Sequence, residues 1–456
     1  MTLTVQDVVQ GGFCIGCGIC AVSDPSIKIK DGVIFKAELP LKAVSPEVVC
    51  PFASQYNEDE LADEAFLDKD MEYSRAVGYY NSIFSGHVTG LNDRVNSSSG
   101  GLATWLLCEL LRLGRIDGVI HVGKSDPSDD FFAYKISSTS FEIKENSRSR
   151  YYPVELSQVL GSLKNDGKRY ALVGIPCYIK AVRLLSKKNE IVRNSIVYYI
   201  GIFCGHLKSK AFAEMIGWQA GINPNDLTGV DFRVKNDKVV NKYSVRIEGL
   251  RKGEATSGLI GNSEIIGSDW GEGLFKPKAC EWCDDIAVET ADIAFGDAWL
   301  DKYKSDSNGR NIVVVRNEEL KQILLQGKME AKITLATETV EDVYASQAGN
   351  YRHRQEGLAH RIDVAKKNGI IAPIKRDLFD ASTLSVDRKN LYDKREKMSE
   401  ISNHFFSESK HKNSLWFFLV KIFPYQARYH RVNGRLIKFL VRYTFMVLKL
   451  FIRKMK

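Results

Sequence analysis

The chain has 456 residues, of which 44% are hydrophobic and 26% are charged, so it is long enough for roughly three domains and its composition excludes a disordered protein. Its net charge of +8 is concentrated at the end, because residues 412–456 hold eleven Lys and Arg and no acidic residue, whereas residues 1–411 carry about −3. No basic start followed by an apolar run opens the sequence, so we expect no secretory signal and a cytoplasmic location. In that compartment, nine cysteines indicate metal ligands or core residues rather than disulfides.

The first predicted element is a cysteine cluster in "FCIGCGICAVSDP", which begins at Phe13. In bacterial ferredoxins, the run C-x2-C-x2-C-x3-C-P binds 4Fe-4S clusters. Here the fourth cysteine of the run is replaced by Asp24, and a distant Cys-Pro pair follows thirty residues after the third cysteine. Thiolates are soft ligands that suit iron, so the pattern predicts one 4Fe-4S site. We name its ligands the first cysteine set: Cys14, Cys17, Cys20 and Cys50. A four-cysteine zinc knuckle is the alternative.

Composition divides the chain into five segments. They are a small ferredoxin-like domain at 1–60, an acidic linker at 61–79, an α/β core at 80–325, a helical extension at 326–411 and a basic tail at 412–456. The fold class that we expect is therefore mixed, α+β and α/β, with an iron-sulfur domain before the core and helices after it.

Short β-rich runs alternate with helical patterns through the core, which predicts an α/β sheet. These runs lie at 117–123, 169–176, 195–206, 291–299 and 311–316. An Asn-Asp pair between two alternating runs predicts an inserted hairpin over 230–249.

Four further cysteines lie within or after this alternating region. Cys177 in "VGIPCY" and Cys204 in "GIFCGH" each follow a predicted strand, where ligands bind in open α/β sheets. Cys280 and Cys283 in "KACEWCDD" would complete a tetrahedral set, which we name the second cysteine set. The spacing fits an iron-sulfur cluster, a zinc ion or cysteines that only pack. Cys108 lies in an apolar helix and is expected in the core.

The stretch 96–114 begins with small residues at 97–101, "SSSGG". They open a predicted helix that Gly114 can close. Amides at a helix start and serine hydroxyls favour an anionic group such as a nucleotide diphosphate. A serine N-cap with a glycine turn is the alternative. The nearby Arg148 and Arg150 in "SRSRYYP" would pair with a phosphate or lie in a solvated loop.

Taken in order, "SSSGG", "GIPC", "FCGH", "FRVK", "CEWC" and "DIAFGDAW" resemble the family of coenzyme F420 hydrogenase/dehydrogenase beta subunits over about residues 10–320. The resemblance implies an iron-sulfur flavoprotein oxidoreductase with FAD and two 4Fe-4S clusters. It also implies a ferredoxin-like electron donor and hydride exchange with coenzyme F420 or another organic substrate. Bacterial members are associated with surface-polysaccharide synthesis, which suggests a sugar-linked substrate. The family's N-terminal unit usually carries two cluster motifs, whereas this chain retains one.

The resemblance implies roles for individual residues. The second cysteine set would hold the cluster next to the flavin, and His206 would donate a proton or a hydrogen bond there unless it is only structural. Asp297 and Trp299 would shape the site, although Trp299 is an equally good core residue. The implied FAD-binding residues are Ser97, Ser98, Ser99, Gly100, Gly101 and Arg150.

The basic tail has the pattern of an interfacial helix. Thirteen of the seventeen residues from Leu436 to Ile452 are apolar, but three cations interrupt them, so the segment is a poor transmembrane span. The cations of this segment follow helical spacing opposite the apolar side chains, which predicts binding to the anionic inner face of the plasma membrane. They are Arg435, Lys438, Arg442, Lys449 and Arg453. The alternative is a helix docked on the protein or on an oligomer partner.

Two functional hypotheses follow. The first is a peripheral-membrane iron-sulfur flavoprotein, and the rival is a zinc-stapled scaffold without redox activity. Nucleic acid is not an expected partner, because the bulky apolar face of the tail has no role in binding it.

Overall fold

The computed structural model describes residues 3–40, 49–67, 70–125, 130–235, 243–376 and 378–455. The strands over these ranges are β1 (Lys28–Lys30), β2 (Lys36–Glu38), β3 (Glu72–Ser74), β4 (Gly78–Tyr80), β5 (Ser82–Val88), β6 (Gly118–Lys124), β7 (Phe132–Ser137), β8 (Tyr170–Gly174), β9 (Ile196–Ile202), β10 (Leu227–Lys235), β11 (Tyr243–Arg251), β12 (Glu254–Gly261), β13 (Ile293–Asp297), β14 (Asn311–Val315) and β15 (Ile333–Thr337).

The α-helices over the same ranges are α1 (Val5–Gln10), α2 (Ile19–Ser23), α3 (Glu58–Phe66), α4 (Leu91–Val95), α5 (Leu102–Arg112), α6 (Ser140–Glu145), α7 (Ser157–Gly161), α8 (Pro176–Ser186), α9 (Glu190–Ser195), α10 (Lys210–Gln219), α11 (Glu318–Met329), α12 (Val340–Ser346), α13 (Ala348–Arg354), α14 (Glu356–Lys367), α15 (Val386–His411), α16 (Leu415–Val432) and α17 (Leu436–Met455). One 3-10 turn, Lys278–Trp282, carries a site residue.

Eight strands form the central mixed sheet, in the order β15-β5-β14-β13-β9-β8-β6-β7. Strands β6, β8, β9 and β13 are parallel to one another, and antiparallel strands extend both sides. The continuous apolar runs of β13 and β14 are buried, as strands covered on both faces must be. The predicted mixed α/β fold is confirmed.

Three strands of this sheet have no counterpart among the sequence predictions: β5, β7 and β15. The segment β15 pairs antiparallel with β5, so Ile333 lies opposite Val88. Such pairing between distant segments leaves no local signal, and "ITLAT" is too short to show a period. The sheet therefore continues past residue 325, where we expected the core to end.

The inserted hairpin is present and belongs to a separate three-stranded antiparallel sheet, β10-β11-β12. Its expected Asn236-Asp237 turn lies outside the described residues. Arg233 on β10 pairs with Asp297 at the end of β13, with 3.0 Å between Nη1 and Oδ2. This ion pair fixes the small sheet against the carboxyl edge of the large one.

The N-terminal segment shares one hydrophobic core with the rest of the chain. The Phe13 ring packs edge-on against Trp282, with 5.7 Å between the ring centroids. Glu58 on α3 pairs with the buried Lys180 of α8 at 3.1 Å. Residues 61–79, expected as a linker, contain the end of α3 and the β3-β4 hairpin.

The C-terminal helices α15 and α16 pack against each other, and α17 lies on α16. No helix among the described ranges is long and apolar enough to cross a membrane. Phe439, Met446 and Leu450 bury one face of α17. We call the five cations predicted to bind a membrane, Arg435, Lys438, Arg442, Lys449 and Arg453, the basic stripe. Two of them, Lys449 and Arg453, pair with Glu264, so this part of the stripe turns toward the protein. The docked-helix alternative therefore holds for one face of α17.

Candidate redox centre

All four thiols of the first cysteine set line one small apolar cavity. Cys14 and Cys17 lie in the loop before α2, Cys20 lies on α2, and Cys50 comes from the chain beyond the β1-β2 hairpin. Burial raises the pKa of Cys20 to about 12, and the neighbouring Cys50 and Cys14 add to this rise. Burial likewise raises the pKa of Cys50 to about 11. These converging buried thiols need a cationic centre in order to ionise.

Two glycines shape the loop that carries this set. Gly16 and Gly18 have φ angles of +67° and +80°, in the left-handed region. A Cβ atom on Gly16 would lie 2.5 Å from the Cβ of Phe35, and one on Gly18 would lie 2.8 Å from the Ser157 amide. The backbone therefore packs closely against its neighbours at both glycines.

The second cysteine set gathers at the carboxyl edge of the parallel strands. Cys177 is the second residue of α8, just after β8, and Cys204 follows β9. Because β8 and β9 are parallel neighbours, both thiols reach the same edge of the sheet. Cys280 in the 3-10 turn and Cys283 immediately after it approach from the other side of the crevice.

Two hydrogen bonds reach the sulfurs of this set. The Leu207 amide donates to Cys280 Sγ at 3.3 Å, and Arg354 Nη1 donates to Cys283 Sγ at 3.0 Å. The Arg354 side chain is buried and also donates to the Gly205 carbonyl at 2.8 Å. Sequence reasoning missed Arg354, because it lies 71 residues after Cys283 in a segment without a motif.

The electrostatics of the second set match those of the first. Burial raises the pKa of Cys177 well above its usual value, and Cys283, Cys204 and Cys280 raise it further. Burial raises the pKa of Cys280 to about 12, and that of Cys204 to about 11 although the Arg354 charge opposes the second shift. Four such thiols fit a positively charged metal centre that stabilises their thiolate forms.

The spacing of the sulfur atoms can be compared with the spacing that a metal centre requires. The nine cysteines all lie in the described ranges, and no three of their Sγ atoms are within 4.8 Å of one another. A tetrahedral zinc ion with Zn–S bonds of ~2.3 Å would hold its sulfurs ~3.8 Å apart. A 4Fe-4S cluster separates its four thiolates more widely.

The two cysteine sets are neighbours. The Leu156 amide, next to α7, donates to the Cys17 carbonyl at 2.9 Å. Burial raises the pKa of Tyr178, and both Cys177 and Cys17 add to that rise. Tyr178 stacks on Tyr134 with 6.0 Å between the ring centroids. Both sets therefore border one buried aromatic pair.

The serine-glycine loop at 97–101 turns into α5 at Gly101, whose φ is +84°. Ser97 Oγ lies 2.8 Å from the Arg94 carbonyl and 2.9 Å from the Ser99 carbonyl, so its single proton is donated to the backbone. Ser98 Oγ instead accepts from the Ser149 amide at 2.7 Å, which leaves the Ser98 proton for another group. This contact joins the "SSSGG" and "SRSRYYP" loops.

A distant side chain, and not a serine, satisfies the first amide of α5. Asn311 Oδ1 accepts from the Leu102 amide at 3.1 Å, so the serine N-cap alternative is wrong. A Cβ atom on Gly100 would lie 2.5 Å from the Gly86 carbonyl and 2.8 Å from the Asn311 amide. Only a residue without a side chain fits this crossing of β5, β14 and α5.

Cations surround this loop. Lys235 Nζ donates to the Ser99 carbonyl at 2.8 Å, and burial lowers the pKa of Lys235 to about 7. Arg148 pairs with Asp231. Burial lowers the pKa of Arg150 to about 10, and its Nε has no hydrogen-bond partner within the described part of the chain.

An aromatic stack connects the loops to the second cysteine set. The His206 ring lies 4.3 Å from that of Trp270, and the edge of Tyr151 meets Trp270 at 4.8 Å. Burial and the Lys208 charge lower the pKa of His206 well below its usual value, so the imidazole is neutral. Sequence patterns gave no sign of Tyr151 or Trp270. Trp299 is 60% exposed, so the alternative that it is a core residue is wrong.

Comparison with known proteins identifies two matching models of one family, which is described as "Coenzyme F420 hydrogenase/dehydrogenase, beta subunit". Residues 83–161 match the model of its N-terminal part. Residues 167–341 match the model of its C-terminal part. Together the two matches cover more than half of the chain, and they include the serine-glycine loop and the second cysteine set.

Three relatives illustrate the similarity. The coenzyme F420-dependent sulfite reductase of Methanocaldococcus jannaschii is 23% identical over 74% of this chain, which spans only 49% of that protein. The beta subunit of the coenzyme F420 hydrogenase of Methanococcus voltae is 23% identical over 58% of this chain and 87% of its own length. One of the subunits of the F420H2 dehydrogenase of Methanosarcina mazei is 21% identical over 69% of this chain and 82% of its own length.

One solved structure resembles the fold. A chain of the F420-reducing nickel-iron hydrogenase complex from Methanosarcina barkeri superposes with a TM-score of 0.50 and 16% sequence identity. The match covers 67% of this chain and 99% of that chain. At this identity the likeness shows the shared fold.

Proposed function

Since the chain belongs to the family of coenzyme F420 hydrogenase/dehydrogenase beta subunits, we propose that it is an iron-sulfur flavoprotein oxidoreductase. The family's hydrogenase, dehydrogenase and sulfite reductase relatives imply electron transfer as its general function. One observation supports the finer proposal: two adjacent sets of four thiols, buried or half-buried, each gather from separate parts of the chain around one place.

The proposed cofactors are a 4Fe-4S cluster on each cysteine set and one FAD at the serine-glycine loop. Such clusters transfer single electrons, and a flavin exchanges two electrons or a hydride. The chain supplies a dry cavity for the first set and hydrogen bonds from Leu207 and Arg354 to the sulfurs of the second. Donors of this kind stabilise negative charge on the sulfur ligands.

The flavin part of the proposal rests on the groups that face the loop. Ser98 retains a hydroxyl proton, and Arg150 retains an unpartnered Nε in buried surroundings. His206 likewise has a buried, unpartnered Nε2. These three groups would bind and orient a phosphate-bearing flavin cofactor next to the second cysteine set.

The remaining parts of the proposal concern the reaction partners. The relatives are subunits of hydrogenase and dehydrogenase complexes, so an electron-transfer protein such as a ferredoxin would dock near the first cysteine set. The hydride would pass to or from coenzyme F420 or another organic carrier. The family resemblance extends the proposal to a sugar-linked substrate in surface-polysaccharide assembly.

Protein purified without oxygen should contain about eight irons, a matching amount of acid-labile sulfide and one FAD per chain. Metal analysis, sulfide assay and the released-flavin spectrum on one sample measure these amounts. The Cys108→Ser variant is the control and should keep all the iron. Cys108 lies on α5 and packs against a hydrophobic cluster that contains no cysteine of either set. A colourless, zinc-loaded protein without flavin would contradict the proposal.

We propose also that α17 binds an anionic membrane surface. Ile437, Val441 and Leu448 are 80%, 69% and 57% exposed and follow helical spacing along one face. Leu440, Phe445, Phe451 and Ile452 widen this exposed apolar face. The basic stripe lies next to this exposed apolar face on the helix surface. Its cations would therefore flank the side chains that insert into the membrane.

The double substitution Val441→Asp and Leu448→Asp should reduce binding to phosphatidylglycerol vesicles by at least about tenfold. The reason is that it removes two inserted side chains and adds two repelled charges. Vesicle sedimentation at low and high salt measures the effect. Deleting residues 412–456 is a coarser test, because it also removes the buried Phe418 of α16 from the core.

The matched control for the vesicle assay is Phe141→Asp. Phe141 is 74% exposed on α6, so this change removes an exposed apolar side chain away from the tail. Equal vesicle binding by the wild-type and double-variant proteins would contradict the membrane proposal and leave the redox proposal untouched.

A further inference from the structure

A cleft of about 140 Å³ lies between α16, α17 and the loop that joins β12 to the second cysteine set. Its lining contains no cysteine and none of the groups placed at the serine-glycine loop. Carboxylates, cations and apolar side chains contribute separate parts of its wall. The proposed redox function uses none of them.

The floor of the cleft is rich in hydrogen-bond acceptors. Glu272 is 3% exposed, and its two carboxylate oxygens accept from Gln426 Nε2 at 2.8 Å and contact His430 Nε2 at 2.9 Å. Gln426 is 1% exposed, and its Oε1 has no donor among the described residues. Asp269 lines the same floor. A buried carbonyl without a donor is unfavourable, so a ligand hydroxyl that donates to it is favoured.

The rim of the cleft is cationic. Arg435, which immediately precedes α17, lines it together with Lys438 and Arg442 from the first turns of that helix. Arg442 Nη2 is 3.5 Å from Ser268 Oγ, and none of the three has an acidic partner in the described part of the chain. Guanidinium and ammonium groups grouped in this way suit a phosphate. The Phe439 ring, stacked on His430 at 4.3 Å, forms an apolar wall.

The balance of charge decides between an anion and a metal ion. Asp269, Glu272 and His430 bring one ligand atom each within 4.8 Å of one another, which would suit a divalent cation. Three cations at the rim outnumber the two carboxylates, however. The cleft therefore carries net positive charge at neutral pH.

We propose that this cleft binds a phosphate ester that carries free hydroxyl groups. The phosphate would lie against Arg435, Lys438 and Arg442, and the hydroxyls would donate to acceptors on the floor. A soluble polyol or sugar phosphate has this chemistry, and so does the glycerol headgroup of phosphatidylglycerol. The site stands apart from the redox centre, so its test does not depend on the proposed redox function.

Calorimetric titration of the full-length, cofactor-loaded protein tests the proposal. The probes are glycerol 1-phosphate, inositol 1-phosphate and glucose 6-phosphate, with inorganic phosphate and glucose as references. At least one polyol phosphate should bind at least tenfold more tightly than inorganic phosphate, and glucose should give no measurable heat. Equal affinity for inorganic phosphate would overturn the proposal, as would binding of Mn²⁺ without binding of any phosphate.

Two substitutions assign the two halves of the ligand. Arg442→Gln should weaken every phosphate probe at least fivefold, whereas Asp269→Asn should reduce the preference for the polyol phosphate over inorganic phosphate. Lys421→Gln is the matched control, because Lys421 is an exposed cation on α16 outside the cleft. Thermal melting of each variant establishes that it is folded. Unchanged affinities in both cleft variants would overturn the proposal.

Vesicles distinguish the two sources of the ligand. Phosphatidylglycerol and phosphatidylserine carry the same net charge, but only the former has a glycerol headgroup with two free hydroxyls. A preference for phosphatidylglycerol that disappears in Arg442→Gln, and that glycerol 1-phosphate abolishes by competition, would assign a lipid headgroup. Binding of soluble polyol phosphates without this preference would assign a free metabolite. Absence of both would overturn the proposal.

Discussion

The Cys177→Ala variant should lose about four of eight irons and retain the four held by the first cysteine set. Alanine has no ligand atom, and the position is buried beside three other thiols, so no outside group can replace the missing sulfur. Removing one of four cysteine ligands leaves one iron without its thiolate, which favours loss of the cluster. Iron and sulfide assays with low-temperature electron paramagnetic resonance of the reduced protein measure the remaining cluster.

The reciprocal variant Cys14→Ala makes this result specific. It should remove the other four irons, and the two variants should retain different resonance signals. Because Cys17 lies near Cys177, each remaining cluster should also lose the magnetic interaction with its neighbour. An unchanged iron content in either variant would exclude that cysteine set as a cluster site. Identical residual signals in both variants would mean that the sets form one site.

The central sheet was predictable where its strands are continuous apolar runs. Strands β8, β9, β13 and β14 have this character. The position of Cys177 and Cys204 at one edge followed from parallel topology. By contrast, β5 pairs with β14 and β15, which lie far along the chain. No local sequence pattern indicates such pairing.

The side chains that complete the candidate site were less predictable than its cysteines. Arg354 reaches Cys283 from α13, and Trp270 reaches His206 from a loop after β12. Both contacts join residues that are far apart in the sequence, and only tertiary packing brings them together. A resemblance based on motifs therefore identified candidate ligands, and the groups that surround them required the folded chain.

The position of the tail helix α17 was also only partly predictable from the sequence. Helical spacing correctly placed the cations of α17 on one face, since this depends only on the geometry of the helix. It could not show that Glu264 would pair with Lys449 and Arg453, or that Phe439 would dock on the protein. The consequence is a helix with three faces, of which one is buried, one is apolar and exposed, and one is basic.

Arg376→Met should destabilise the protein by about 3–5 kcal/mol. Arg376 is buried and pairs with Asp284 at 3.1 Å, with Glu289 at 2.6 Å and with Asp59 of α3 at 2.8 Å. Methionine keeps much of the volume but leaves the buried Glu289 without its cation and leaves the buried Asp284 with Lys375 alone. Denaturant unfolding under anaerobic conditions, followed by circular dichroism and cluster absorbance, measures the change.

The control for this prediction is Lys367→Met, which breaks the exposed Lys367–Asp363 pair on α14 and should cost less than about 0.5 kcal/mol. Adding Glu289→Gln to Arg376→Met should recover part of the loss, because it removes one of the uncompensated charges. Equal destabilisation by Lys367→Met and Arg376→Met would contradict the prediction. Since Arg376 joins α3, Asp284 and Glu289, its loss should loosen the segment next to Cys283 and accelerate release of iron from the second set before that from the first.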